Sequence, residues 1–171
     1  MKITRKALKT LISEAIGKDQ IIRERPWSVE HSFKLSGGVA TDSEGDESPD
    51  GFAIIMSTKS GPEVEIVIDT YWNPQNGDKS GNALKVTLPD GEMQELYVPT
   101  RFDDGKTQYI TISNSPVPGV ITVSHAPNDN TPPIAYSAFQ NPFKENDDIS
   151  FEIETLGNGK AEVKLTRHFN I

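Results

Sequence analysis

The sequence predicts an all-β fold, an antiparallel β-sandwich or jelly roll, with one amphipathic α-helix at its N-terminus. Three observations predict it. From residue 26 onward apolar residues recur with a period of two. The alternating runs are short and are separated by Gly, Pro, Asn and Asp. Only the first eighteen residues repeat at helical spacing. The chain therefore divides into a helix and linker, 1–25, and one β-domain, 26–171. A length of 171 residues, 35% hydrophobic and 25% charged, is ordinary for a globular chain with a sizeable core.

The opening segment MKITRKALKTLISEAIGK places Ile3, Ala7, Leu8, Leu11, Ile12, Ala15 and Ile16 on one stripe, with Lys2, Lys6, Lys9 and Ser13 opposite. Thr4 is the expected N-cap, Ile3 and Leu8 form a hydrophobic staple, and Gly17 stops the helix. Glu14 precedes Lys18 by four residues, the favourable order for an ion pair. Arg5 and Lys6 occupy the positive end of the helix dipole, where acids are preferred. A helix of under ~15 residues is marginal alone in water, so the stripe needs a surface. Four surfaces are open to it: the chain's own β-domain, another copy, a partner protein or a lipid headgroup layer. The stripe lacks the Trp or Phe of a peripheral membrane helix, and the segment lacks the Ser and Arg richness of a targeting peptide. Docking on protein is the expectation, through Ile3, Arg5, Lys6, Leu8, Lys9, Leu11, Ile12 and Ile16.

Charge divides the chain in the same way. Residues 1–25 hold seven Lys/Arg against three acids, a net of +4 in a chain of −8, which leaves −12 for the β-domain. A body so acidic repels phosphate backbones, and the helix lacks the dense basic stripe and aromatics of a nucleic-acid reader. No run of eighteen apolar residues and no signal-peptide core occurs, so synthesis and first folding in a cytoplasm are expected. The absence of cysteine excludes disulfides and thiolate chemistry.

In the β-domain, Trp27, Val29, His31, Phe33 and Leu35 alternate with polar residues and mark the first strand. A second run covers 52–57. The clearest is EVEIVIDTYW, where Val64, Ile66, Ile68, Thr70 and Trp72 share a face. Further strands are predicted at 83–88, 93–98, 107–113, 119–125, 134–139, 149–155 and 160–169. Leu88-Pro89-Asp90-Gly91-Glu92 and Leu156-Gly157-Asn158-Gly159 carry hairpin chemistry.

Two connections stand out. Gly37–Gly51 packs Asp42, Glu44, Asp46, Glu47 and Asp50 into nine positions. Oxygen-rich loops of this kind can hold calcium, which takes six to eight oxygen ligands. Asp46, Ser48, Asp50 and Gly51 imitate the opening of an EF-hand loop, but Pro49 intrudes and Ser57 stands where the bidentate Glu belongs. A solvated acidic loop is the plainer reading; the calcium candidates are Asp42, Glu44, Asp46 and Asp50. In 128–146, prolines interleave with Tyr136, Phe139 and Phe143, aromatics expected to cover one end of the sandwich rather than a partner.

No nucleophile elbow, P-loop, dinucleotide fingerprint or zinc-protease motif occurs, and an enzyme is not expected. His31 and His125 fall on apolar strand faces, His168 on the face opposite Val163, Leu165 and Phe169. Asp103 and Asp104 are adjacent in a turn and point apart. Carbohydrate binding is the rival function. Tyr71, Asn73 and Gln75, at and after the end of the best strand, form a candidate platform beside Glu65 and Asp69, whereas Trp72 belongs to the core.

The opening MKITRKALKTLISEAI resembles the Lys/Arg-studded starts of many uncharacterised proteins of tailed bacteriophages and marine bacteria. That resemblance covers about a tenth of the chain and implies a virion or assembly component, with no catalytic residue. ALKVTLPDGEMQELYV is similar to bacterial β-sandwich modules with an L-x-V-x-x-P-x-G hairpin. The acidic signature that often precedes it is replaced by Gly81-Asn82-Ala83-Leu84, which weakens any carry-over of metal binding. The sequence thus points to a non-enzymatic structural or decoration component of a larger assembly. It docks by its helix on other subunits, copies of itself included. The alternative is a carbohydrate-binding sandwich, calcium-stabilised, with a glycan as partner.

Overall fold

A computed structural model describes residues 26–35, 51–59, 61–70, 82–114, 117–144, 147–156 and 161–170, with side chains of the last stretch to Lys164. The predicted N-terminal helix lies outside the described residues, which contain no helix.

Ten strands alternate as the period of two requires: β1 (Trp27–Leu35), β2 (Gly51–Ser57), β3 (Glu63–Asp69), β4 (Ala83–Thr87), β5 (Met93–Tyr97), β6 (Gln108–Ser113), β7 (Val120–Ala126), β8 (Ala135–Gln140), β9 (Ser150–Leu156) and β10 (Ala161–Asn170). Nine match the predicted runs to within a residue at each end; β3 stops at Asp69 rather than running on to Trp72. They form two antiparallel sheets, ordered β10-β1-β6-β7-β8 and β5-β4-β3-β2-β9. The protein is an antiparallel β-sandwich.

The core lies between the sheets. Val29, Phe33 and Leu35 of β1 and Ile110 and Ile112 of β6 face Phe52, Ile54, Met56, Val64, Ile66 and Ile68 of the opposite sheet, all essentially buried. Each such side chain contributes about 1.5–3 kcal/mol on removal from water. The Phe33 and Phe52 rings join the layers at 5.1 Å, and Trp27 meets Phe151 edge-on at 5.8 Å. Phe139 and Phe143 are buried as expected, whereas Tyr136 is 60% exposed.

The hairpin at Leu88–Glu92 forms as its residues dictate. Gly91 takes a φ of 87°, its N–H donates to Leu88 O, and Asp90 Oδ1 accepts from the Glu92 N–H at 2.9 Å. The second hairpin expectation is overturned. β9 pairs with β2 and β10 with β1, so the segment after Leu156 joins two sheets instead of closing a hairpin. Turn residues specify a reversal, not a partner, and β1 and β2 offered full-length edges to these two strands.

The β1/β10 register shifts between Glu30 and His31, so that Leu165 pairs with His31 and Arg167 with Glu30, a β-bulge in the pairing.

One row crosses the whole second sheet at one end: Tyr97, Ala83, Asp69, Gly51 and Leu156. Gly51 has φ +117°, and a Cβ there would meet Ile68 O at 1.7 Å, so the position admits only glycine.

Candidate functional site

The Gly51 end of the sandwich is held by a polar scaffold. Asn82, just before β4, reaches over to the connection between β5 and β6. Its Nδ2 donates to Val98 O (2.7 Å) and Thr100 O (2.6 Å), and its Oδ1 accepts from the Phe102 N–H (2.8 Å). From the other sheet, Gln108 Nε2 donates to Arg101 O (2.7 Å) and Asp104 Oδ1 (3.0 Å). Gly105 N–H donates to Leu35 O at 2.9 Å, tying the same connection to the end of β1. Arg101 forms a fork with Asp103 at 2.7 and 2.9 Å, and that carboxylate raises the guanidinium pKa by hydrogen bond and charge. The adjacent Asp103 and Asp104 thus serve different partners, as expected of neighbours in a turn.

Behind this loop His125 is fully buried, its ring edge-on to Phe102 at 5.0 Å. Burial pushes its pKa down to about 4, against a small opposing pull from Asp104. His31 is 1% exposed, and burial likewise lowers it to about 4. Ile110 pairs with both His31 and His125, so the two histidines stand on the same inner face with one strand between them. Neutral, enclosed imidazoles so separated are core groups, in keeping with the sequence reading. Among the described residues no group of three or more His, Cys, Asp or Glu is placed to hold a metal ion.

On the outer face of the β5-β4-β3-β2-β9 sheet, polar and aromatic groups converge. Lys85 Nζ donates to Asp69 Oδ2 at 2.5 Å, with the two side chains only 16% and 14% exposed. Lys85 stands directly opposite Glu95, whose Oε1 is enclosed and takes part in no hydrogen bond. Two residues along β5, on the same face, Tyr97 is 42% exposed. The small residues Gly51, Ala53 and Ala83 form an enclosed floor beside them. This face thus gathers an exposed aromatic ring, two carboxylates and an ammonium group at neighbouring register positions. An aromatic face takes up the C–H side of a ring ligand while the charged groups bond its hydroxyls.

The sequence-derived candidates relate to this cluster through the register. Tyr71, Asn73 and Gln75 lie outside the described residues, as do Asp42, Glu44, Asp46 and Asp50. Their anchor points do not: Gly51, one residue after the acidic stretch, pairs directly with Asp69, two residues before Tyr71. The two stretches, far apart in sequence, therefore leave the sheet at adjacent positions on one end. The docking residues Ile3, Arg5, Lys6, Leu8, Lys9, Leu11, Ile12 and Ile16 also lie outside the described residues. Tyr97, Glu95 and Lys85 escaped the sequence reading, although Met93, Glu95 and Tyr97 alternate with Gln94, Leu96 and Val98. What was missing was that β5 is an edge strand with this face turned outward.

No family model matches the chain, and no curated protein matches it. Solved structures do. The exoplasmic/lumenal domain of VIP36 in its Ca2+/Man-bound form is 14% identical with a TM-score of 0.59, over 87% of this chain and 69% of that one. Peanut lectin with a bound 9-mer peptide is 15% identical with a TM-score of 0.56, over 84% and 69%. Lectin I from Ulex europaeus, in complex with the methyl glycoside of α-L-fucose, is 12% identical with a TM-score of 0.56, over 84% and 69%. At these identities the likeness is one of fold.

Proposed function

We propose that the chain is a non-enzymatic carbohydrate-binding β-sandwich module that seats a saccharide at the Gly51 end of the β5-β4-β3-β2-β9 sheet. The observation that carries this reading is the cluster on the outer sheet face in which exposed Tyr97 shares β5 with Glu95, opposite Lys85 and its partner Asp69. Tyr71, Asn73 and Gln75 follow Asp69 within six residues in the sequence and would add a second aromatic and two amides. The fold likeness to VIP36 solved with mannose and to a lectin solved with a fucoside supports it.

Calcium enters this proposal as a stabiliser. Hard carboxylate oxygens at Asp42, Glu44, Asp46 and Asp50 suit that ion, and Gly51, the residue after them, pairs with Asp69. Asp69 itself is engaged by Lys85, so the described residues add no ready ligand. A rise in melting temperature on adding calcium, reversed by a chelator, supports the ion's role; an unchanged melting temperature removes it.

A glycan array tests the saccharide reading. The full chain is expected to be retained on at least one glycan class, and Tyr97→Ala and Tyr71→Ala each to weaken retention while the fold persists. Deleting residues 1–18 is expected to leave retention intact. Failure of the full chain to bind any glycan with and without calcium, or undiminished binding by the Tyr97→Ala/Tyr71→Ala double variant, overturns the proposal.

A further inference from the structure

The opposite end of the sandwich holds a cleft that the saccharide reading does not use. It opens between the β4–β5 hairpin and the C-terminal end of β8, with a volume of about 550 Å³. Leu88, Pro89, Phe139 and Pro142 supply its apolar lining, and Asp90 and Glu92 are its charged groups; no lysine or arginine is among its described lining residues. Ser137 Oγ donates to Gln94 Oε1 at 2.7 Å, bridging the edges of the two sheets at its side. An apolar slot rimmed by two carboxylates calls for an apolar ligand that carries cations.

We propose that this cleft is the seat of the chain's own N-terminal segment, with Leu8, Leu11 and Ile12 inserted and Arg5, Lys6 and Lys9 meeting Asp90 and Glu92. Three observations converge on that occupant. Charge is complementary, since residues 1–25 carry +4 and the cleft lining two acids with no base. The basic first turn, unfavourable against its own helix dipole, is compensated by carboxylates at this rim.

Reach is the second. β1 begins at the same end of the sandwich as the cleft. Trp27 N–H donates to Asn114 Oδ1 at 2.7 Å, and the Asn141 N–H, at the cleft, donates to Gly119 O at 2.9 Å in the same β6–β7 connection. From β1 across β6 and β7 to β8 is three strand spacings, about 14 Å. A helix of eighteen residues spans about 27 Å, and residues 19–26 add up to roughly 26 Å if extended. The third is tethering: a segment joined to the domain by so short a linker meets it at an effective concentration on the order of millimolar. This favours the chain's own segment over that of a second copy.

The absence of native cysteine makes the test direct. In dilute full-length protein, Lys9→Cys or Lys6→Cys is paired in turn with Asp90→Cys or Glu92→Cys and oxidised. An intramolecular disulfide in at least one pair is the expected result. Hydrogen exchange supplies the second arm: amides of residues 5–16 are expected to be protected, and Asp90→Lys/Glu92→Lys to abolish that protection. Adding Lys6→Glu/Lys9→Glu to the same chain should restore it, and this rescue separates docking from a general loss of fold. Unprotected amides in the unmodified chain, protection indifferent to the charge reversal, or cross-links found only between molecules would each overturn the proposal. None of these outcomes bears on glycan retention, so the two proposals fail independently.

Discussion

His125 Nε2 and Gln108 Oε1 lie 2.6 Å apart, both residues fully buried. Because Gln108 Nε2 already donates to Arg101 O and Asp104 Oδ1, its Oε1 is the atom turned to the imidazole. The imidazole must then donate from Nε2, leaving Nδ1 unprotonated, which is consistent with its having no hydrogen-bond partner. One glutamine therefore sets the tautomer of a core histidine and holds the loop that frames the candidate site.

Gln108→Ala removes that bridge and strands the Arg101 carbonyl and the His125 Nε2–H. Orphaned buried groups cost about 1–3 kcal/mol each, so a loss of about 2–4 kcal/mol in unfolding free energy is expected by denaturant titration. If the loop only rests on its Asn82 contacts, the loss will stay below about 1 kcal/mol and the bridging role fails.

Acid should destabilise the sandwich through its two core histidines. In the folded state burial holds His31 and His125 at about 4, whereas the ordinary value is 6.5. Between these values the unfolded chain binds more protons, so stability falls as pH drops from 6.5 towards 4 and these groups contribute no further loss below that. The slope is up to about 1.4 kcal/mol per pH unit for each histidine. His31→Phe, set against the neighbouring Phe151 ring at 6.0 Å, should roughly halve the fall in stability between pH 7 and 5. An unchanged pH profile would show that these two imidazoles are not its source.

Two glycines with positive φ should respond differently to alanine. Gly51 has φ +117° and backbone oxygen 1.7 Å from a Cβ position; Gly91 has φ +87° and nothing within 4 Å. Gly91→Ala bears only the left-handed conformation, about 1–2 kcal/mol. Gly51→Ala must also displace β3, and a loss beyond about 3 kcal/mol or failure to fold is expected. Equal melting temperatures for the two variants would refute the steric assignment.

The ease of reading the strands and the difficulty of reading the site share one cause. Alternation is local, so residues such as Val64, Ile66 and Ile68 declare their face without knowing their neighbours. Pairing is not local. Nothing in Leu156-Gly157-Asn158-Gly159 shows that β9 will join β2 and β10 will join β1. The bulge beside Glu30 is likewise invisible until the strands are laid together. The candidate site suffers most, since Lys85, Glu95, Asp69 and Tyr97 come from three strands and meet only through the register. Gly51 could have signalled it, as a glycine ending an acidic stretch and opening an apolar strand, but its closeness to Ile68 is a fact of pairing.

The Asp69–Lys85 pair offers the last prediction, because its stability role and its binding role can be separated. With side chains 14% and 16% exposed, it is more enclosed than surface pairs worth about 0–1 kcal/mol, and a charge left alone there is costly. Lys85→Met, which keeps the stem and removes the charge, takes the ammonium group away from Asp69 and from the enclosed Glu95 opposite it. A loss of about 1–3 kcal/mol in unfolding free energy is expected. Adding Asp69→Asn should recover part of it in a double-mutant cycle. On glycans the same cycle should show no recovery, since a saccharide held by the charged groups loses its partners in every variant. Recovery of stability together with glycan retention in the double variant would mean that the pair only supports the sheet, and would leave Tyr97 without charged companions in the site.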